Sequence, residues 1–506
     1  MSVPPRFLAA LVLIVVASAG ATAADPAPSG PRPNVIVILA DDLGWGDLSC
    51  QPQDPACPDS TLRTPNIDSL AAEGVRCTEA YATCCVCTPS RVGLLTGRYQ
   101  QRLGWYEFLE AQVGIPAGET LLSEILRSRG YATAMIGKWH VGFAAGARPL
   151  DRGFDRFYGI WGGQHDFFDP RLGDPTTGMP FDYDGHVLDQ DEPVVAMDYL
   201  TDELTTKSLE FIDAQATTGR PFFLYLAYTA PHPPLQATWE KLAPYAVARG
   251  GRFNSRDIVR AMLDSLDAGV GRILTRLMHL GIDRETLVLF TSDNGGAEDR
   301  DSQPTVQHNG GLRPRKGFLW EGGIRVPFIL RWPGRLPEGA IYRQPVSQLD
   351  VFPTVAAACG TAAGKPLDGI DLLPFLTHAD PASPHDVLYW GFQQQTGRWA
   401  IRKGRWKLAR DIVDYKAVQP SRVDFETGLY DLSDDPGETC NLIAERPDVA
   451  AELTALKDSW YATLPASIAT PEVRRAWQEE LTRRKEKLPD AHRLRRDGAP
   501  GHWQGE

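Results

Sequence analysis

The chain has 506 residues, 43% of them hydrophobic, and carries 64 Asp and Glu against 52 Lys and Arg for a formal charge of −12. That length exceeds one ordinary domain and supplies a large core, so one large domain with a smaller companion is expected. The negative balance argues against nucleic acid as a partner, and an anionic substrate would have to be drawn by a local cationic pocket.

The opening MSVPPRF, the apolar run LAALVLIVVASAG and the ATA at 21–23 read as a signal peptide over 1–23, cleaved near Ala23. The run falls short of the roughly 18 apolar residues a membrane anchor needs. No later stretch is long enough either. A product without a membrane span, periplasmic or secreted, is expected.

Residues 24–375 alternate short, continuously apolar runs with longer segments of helical spacing. The runs are NVIVILA (34–40), YATAMI (131–136), PFFLYLAY (221–228), TLVLFTS (286–292) and VPFILRW (326–332). Strands apolar throughout are buried on both faces, as in a parallel sheet covered by helices. TLLSEILRSRG (120–130) and IVRAMLDSLDAGVGRILTRLMHLG (258–281) supply such helices. The pattern is α/β.

Chemically capable residues stand directly after four of these strands. Asp41 and Asp42 come after the first, Lys138 and His140 after the second, His232 after the third, and Asp293 and Asn294 after the fourth. Ligands of open α/β sheets bind beyond the carboxyl ends of the strands, so these residues should converge at one edge.

From 376 to 465 the texture changes. DVLYWGFQQQTGRWAIRKGRWKLAR reads as antiparallel strands with Gly-containing turns, and PDVAAELTALKDSWYATL as a helix, together a small α+β domain. The tail, 466–506, is rich in charge and reads as a packed arm or a partly disordered one.

Asp41, Asp42, Asp293 and Asn294 offer only oxygen ligands, which suits Ca²⁺ or Mg²⁺ rather than Zn²⁺. One acidic pair after a strand is more often a cap or a turn; two pairs at equivalent strand ends favour a metal. The eight cysteines, at 50, 57, 77, 84, 85, 87, 359 and 440, lack the paired spacing of a zinc site. In an oxidising compartment some should form disulfides. Cys87 precedes Thr88, able to cap, Pro89, suited to a first helical position, and Gly97, suited to a helix end. That context places Cys87 just before a helix N-terminus, where an anion is favoured, with Arg91 and Arg98 in or beside the same helix.

Cys-Thr-Pro-Ser-Arg-Val-Gly-Leu-Leu-Thr-Gly-Arg (87–98) resembles the signature of the formylglycine-dependent sulfatases of the alkaline phosphatase superfamily. DDLGWGD, GKWH (137–140), Pro231-His232, SDNGG (292–296), KGFLWEGGIRVPFILRWPG (316–334), DGIDLLP and LYDLSDDPGETCNL extend the likeness from about residue 33 to 450. The resemblance implies a large mixed, mostly parallel sheet sandwiched by helices and a sulfatase of arylsulfatase type. It further implies that a separate formylglycine-generating enzyme oxidises Cys87 to formylglycine (3-oxoalanine), whose hydrate is the nucleophile. One hydroxyl of that diol attacks sulfur and the other expels sulfate, so water need not attack.

By the same resemblance Asp41, Asp42, Asp293, Asn294 and the modified Cys87 hold one Ca²⁺, Mg²⁺ being the lesser alternative. Arg91 holds the hydrate, Lys138 and Lys316 neutralise sulfate oxygens, His140 assists elimination, and His232 with Lys316 protonates the leaving alcohol. His165, His308 and Arg313 are candidates for substrate specificity. Sulfated carbohydrate is the expected substrate.

Two other readings compete. One is a phosphatase or phosphodiesterase of the same superfamily: a two-metal phosphatase needs a second cation about 4 Å from the first, for which Asp182-Tyr-Asp-Gly-His186 has a tempting spacing, and a phosphodiester, singly charged like a sulfate ester, stays open. A catalytically silent glycan-binding protein would be expected to lack a nucleophile or a metal ligand, and here every matched position is filled.

Overall fold

The computed structural model describes residues 32–52, 61–170, 186–297, 308–377, 382–412 and 425–486, with Met1 and Asp59. Apart from Met1, the expected leader lies outside the described residues. No helix among them is long and apolar enough to cross a membrane.

The apolar runs form strands β1 (Asn34–Ala40), β2 (Ala132–Lys138), β4 (Phe222–Ala227), β5 (Thr286–Ser292) and β6 (Phe328–Arg331), each buried along its whole length, with β3 (Arg156–Ile160) at the side of β2. They lie in the order β6-β5-β1-β4-β2-β3 within a ten-stranded sheet. Short strands Val75–Cys77 and Ala340–Tyr342 extend it beyond β6, and Leu188–Asp189 and Glu192–Pro193 beyond β3.

Strands β5, β1, β4, β2 and β3 are mutually parallel, whereas β6 runs antiparallel to β5. The apolar run of β6 therefore reports burial on both faces and not direction. Phe328, its first residue, pairs with Thr291 near the end of β5. β6 therefore starts at the edge of the sheet where β5 ends.

Alternation along β1 divides the interior. Val35, Val37 and Leu39 join the core covered by helices Cys87–Thr96, Leu122–Ser128 and Val351–Ala358. Ile36, Ile38 and Ala40 join the opposite core under Leu200–Thr218 and Ser255–His279. The last of these helices starts at a reciprocal cap between Asn254 and Asp257, which satisfies two of the amide donors a helix start leaves bare.

Four strands, β7 (Val387–Phe392), β8 (Arg398–Lys403), β9 (Trp406–Ile412) and β10 (Phe425–Asp431), pair in chain order as an antiparallel meander. One face packs on helix Pro447–Tyr461 through Ile401, Leu408, Leu429 and Leu453. The other meets Tyr81, Cys84, Cys85, Trp320 and Ile324 of the large domain. Beyond 465 the chain starts as a packed arm: Ser467 Oγ donates to Glu110 at 2.7 Å, Ile468 N to Gly104 O at 3.0 Å, and Arg474 pairs with Glu107 at 2.5 Å.

The disulfide expectation is not met among the described cysteines. All seven are free, and Cys77, Cys84, Cys85 and Cys359 are buried in the apolar cores. Cys57 lies outside the described residues.

Sheet register sets the level of the site. Ala40 pairs with Ser292, and Leu39 and Gly137 both pair with Ala227, so Asp41, Asp293 and Lys138 leave the sheet together. Gly137 has φ +113°, and a Cβ there would lie 1.8 Å from Ala227 O. Any side chain would push β2 off β4 just before Lys138. Gly137→Ala is expected to lower the unfolding free energy by more than about 3 kcal/mol, measured by urea denaturation.

Candidate active site

The helix that carries Cys87 begins earlier than its sequence suggests. Val86, extended at φ −141° and ψ 153°, is the cap; Cys87 is the first helical residue, and Gly97 closes the helix at φ 65°. Pro89 thus falls at the third helical position, where its missing N–H costs nothing because the amides of the first turn have no intrahelical acceptor. Thr88 is released from capping, and its Oγ1 lies 3.1 and 3.2 Å from the two ring nitrogens of His140. Cys87 Sγ is 3.3 Å from His140 Nδ1. Arg98, beyond the helix end, pairs instead with Glu119 at 2.7 Å.

Arg91 lies one turn further on and is fully buried. Its Nε and Nη2 reach Asp293 Oδ2 at 2.9 and 2.7 Å, Nη2 is 3.6 Å from Asp41 Oδ2, and Nη1 donates to Lys138 O at 2.6 Å. Lys138 Nζ contacts Asp41 Oδ2 at 2.6 Å. Lys316 Nζ contacts both oxygens of Asp42, at 2.7 and 2.9 Å. Asn294 Nδ2 donates to Asp42 Oδ1 at 2.8 Å, and Asp42 N lies 3.2 Å from Asp293 Oδ1. The expected nucleophile, cations and oxygen ligands therefore do converge at the carboxyl edge of the sheet.

The donor set fits a hard cation. Asp41 Oδ1 and Asn294 Oδ1 are buried with no hydrogen-bond partner, an arrangement that costs free energy unless a further positive group is present. Carboxylate oxygens of Asp41 and Asp42 and a ring nitrogen of His232 lie within 4.8 Å of one another. His232 Nδ1 is 2.6 Å from Pro233 O and its Nε2 is 3.6 Å from Asp42 Oδ2. A carbonyl oxygen only accepts, so Nδ1 carries the hydrogen and Nε2 faces the site.

Burial dominates the electrostatics. It raises the Asp42 carboxyl, but Lys316, His232 and Lys138 outweigh it and hold the group below its ordinary value. Asp293 is raised by burial and by Asp41, against the pull of Arg91. Burial and then Lys138, Arg91 and Lys316 push His140 well down; burial and then Lys316 do the same to His232. For Lys316 the loss of solvation is outweighed by Asp42, which keeps the ammonium charged. Such a site is poised to receive an anion.

The sulfatase family model matches residues 33–361, and a second model, N-sulphoglucosamine sulphohydrolase C-terminal, matches 314–460. The chain belongs to the sulfatase family. This sulfatase is 34% identical to steryl-sulfatase of Mus musculus, over 87% of its own length and 84% of the relative's. It is likewise 34% identical to arylsulfatase A of Homo sapiens, over 88% and 89% of the two chains. The crystal structure of Ps i-CgsB in complex with k-i-k-neocarrahexaose superposes with a TM-score of 0.75 at 29% identity, covering 91% of the sulfatase and 98% of that chain. The sheet and its helices are thus alkaline phosphatase-like, and the enzyme hydrolyses sulfate esters.

The specificity candidates fare differently. Arg313 Nη2 donates to Tyr430 at 2.9 Å, and its guanidinium lies 4.5 Å from the Trp320 ring centre, contacts that tie the large domain to β10. His308 packs its backbone against the loop after β1: its carbonyl accepts from Gly46 N at 2.8 Å and its amide donates to Asp47 at 3.0 Å. His165 is buried with Nδ1 at 2.7 Å from Asp166 O. Of the rival second-metal segment, His186 is described and Asp182 is not.

Motif reading misses Gln348, which is fully buried. Ser90 Oγ donates to its Oε1 at 2.7 Å, and its Nε2 donates to Ser292 O. One amide therefore ties the nucleophile helix to the strand end that carries Asp293 and Asn294. Nothing in its local sequence marks it, since its partners lie more than 50 residues away. Gln348→Glu keeps the shape and loses the donor. It is expected to lower kcat/KM for 4-nitrophenyl sulfate at least tenfold, a figure of the order set by misplacement of about 1 Å, with circular dichroism unchanged.

Proposed function

We propose that this chain is an exported, periplasmic or secreted sulfatase that acts on sulfated carbohydrate through a formylglycine formed from Cys87, with one Ca²⁺ at the carboxyl edge of the sheet. The carrying observation is that Cys87 Sγ, 3.3 Å from His140, stands at the start of the helix whose Arg91 binds Asp293 and approaches Asp41. The sugar assignment draws support from the likeness to Ps i-CgsB, crystallised with a neocarrahexaose, and from the N-sulphoglucosamine sulphohydrolase match.

Asp41, Asp42, Asp293, Asn294 and the modified Cys87 would hold Ca²⁺, which when bound polarises a sulfate oxygen and lowers the pKa of a nearby hydroxyl. As its hydrate, the formylglycine supplies one hydroxyl for attack on sulfur and a second to release sulfate. Arg91 orients residue 87. Lys138 and Lys316 turn from Asp41 and Asp42 toward the sulfate oxygens, where charge builds as the ester bond breaks. His140, held by Thr88, takes the proton of the second hydroxyl. Lys316 and His232 face the departing oxygen together, and the proton comes from the Lys316 ammonium, kept charged by Asp42, because Nε2 of the neutral His232 carries none.

The phosphomonoesterase reading has less support. Two lysines already supply the positive charge that a second cation would bring, a complement that suits a singly charged ester better than a dianionic phosphate monoester; a phosphodiester is also singly charged, and the control below separates it from a sulfate ester.

The test is peptide mass spectrometry across Cys87 after expression with the formylglycine-generating enzyme, together with sulfate release from a sulfated-glycan panel and a phosphodiester control. Conversion of the thiol to the aldehyde, with sulfate released and the phosphodiester spared, is expected. A disulfide at Cys87, or a fully modified chain that turns over only the phosphodiester, would sink the reading. Cys87→Ala is expected to lower turnover by at least about 10³-fold, measured as sulfate release. Chelation of Ca²⁺ is expected to abolish turnover reversibly and to lower the melting temperature, since a ligand that binds the folded state stabilises it.

A further inference from the structure

Lys316 reaches the site from a stretch with little structure of its own: no described residue from 293 to 320 belongs to a helix or strand. A long, flexible side chain on a loop is a poor way to place a charge unless its backbone is fixed from outside. Two of the fixings come from the large domain, Lys316 N to Gly296 O at 3.0 Å and Gly317 N to Cys85 O at 2.7 Å. The others come from the C-terminal meander. Arg398 of β8 donates through Nη2 to Gly317 O, and Asp411 of β9 accepts from Leu319 N. Arg398 Nε and Asp411 Oδ1 pair at 2.5 Å. Both residues are buried, with exposures of 4% and 0%.

We propose that Arg398 and Asp411 are positioning residues for the sulfatase reaction, acting together to hold the Lys316 backbone so that its ammonium meets the ester. Adjacent peptides on one side of Lys316 are gripped at opposite polarity, a carbonyl by Arg398 and an amide by Asp411. That arrangement limits both translation and rotation of the segment. Gly317, at φ +88°, turns its N–H toward the nucleophile loop and its C=O toward β8, so one residue links Cys85, two positions before the nucleophile, to the meander.

General attachment of the meander does not need this pair. Trp390 Nε1 donates to Ala82 O at 2.8 Å, Lys407 joins Glu321 at 3.0 Å, and Glu438 accepts from Glu321 N at 2.7 Å. The interface therefore keeps these anchors when Arg398 and Asp411 are replaced.

This inference rests on the role proposed for Lys316, and the experiment separates the two. Arg398→Met, Asp411→Asn and the double variant, which leaves no unpaired buried charge, are each made in the parent and in Lys316→Ala. Phenyl sulfate, a poor leaving group, and 4-nitrophenyl sulfate, a better one, are assayed, with rates normalised to the fraction of formylglycine and melting temperatures recorded. In the parent, the double variant is expected to lower kcat on phenyl sulfate at least about tenfold and to spare 4-nitrophenyl sulfate relative to it. In Lys316→Ala the same changes are expected to cost less than about twofold, the mark of residues acting through one group. Equal losses in both backgrounds, or no loss in the parent, would overturn the positioning role while leaving Lys316 in place. Lys316→Ala with unchanged kcat on both esters would overturn the role of Lys316 and this inference with it. If the double variant does not fold, Asp411→Asn alone, which keeps an acceptor for Leu319 N, carries the same comparison.

Discussion

Three carboxylates, Asp41, Asp42 and Asp293, are buried side by side at 0–1% exposure, and the rest of the site exists to make that tolerable. An unpaired buried carboxylate costs several kcal/mol. Arg91, Lys138 and Lys316 each sit on one or two of the three. The balance is local: three acids against three bases in a chain whose overall charge is −12. Remove a base and an acid is left without a partner in a dry interior. This is why the cations come from a helix, a strand and a loop that the fold must bring together before any one of them is stable there.

Parallel pairing in the sheet is what makes such an arrangement possible. Because β5, β1, β4 and β2 run the same way, four separate chain segments emerge at one edge, each free to contribute a different chemical group. Positive φ at Asp42 (63°) and His140 (60°) shows the backbone bending sharply as soon as it leaves the sheet. Strain of this kind survives where its surroundings over-determine it; Asp42 is held by Lys316 and Asn294, and His140 by Thr88 and by its own N–H to Trp161 O at 2.9 Å.

Much of this is legible in sequence because it is local. Runs such as NVIVILA and TLVLFTS carry their burial in every residue, and the groups directly after them need only the rule that such ends converge. The nucleophile motif is contiguous, so its helix is apparent, although its start is not: Thr88 has the chemistry of a cap, and tertiary contact with His140 gives it another partner. The direction of β6 is not legible, since a doubly buried strand reads the same either way. Nor are Gln348, Arg398 and Asp411, whose partners are far away in sequence and whose meaning lies in pairings the chain makes only once folded. The contacts of Arg313 are equally absent from the sequence, since its guanidinium meets Tyr430 and Trp320 only once the meander packs on the large domain.

All ten residues of the nucleophile helix are buried, and Cys87 itself is 7% exposed. The parts around it come from distant regions of the chain: His140 beyond β2 lies 3.3 Å from its sulfur, Arg91 of its helix approaches Asp41 beyond β1, and the loop around Lys316 is bonded both to Cys85 and to a meander that is not complete until Asp431. An enzyme that had to take residue 87 into its own active site would find no way to reach it in the finished molecule. If Cys87 is oxidised as proposed, the chance falls during biosynthesis, while the C-terminal half is still being made or still unfolded. Each molecule would then fold with the thiol or with the aldehyde sealed in, and the fraction that is competent would be decided by a race between oxidation and folding that is run once.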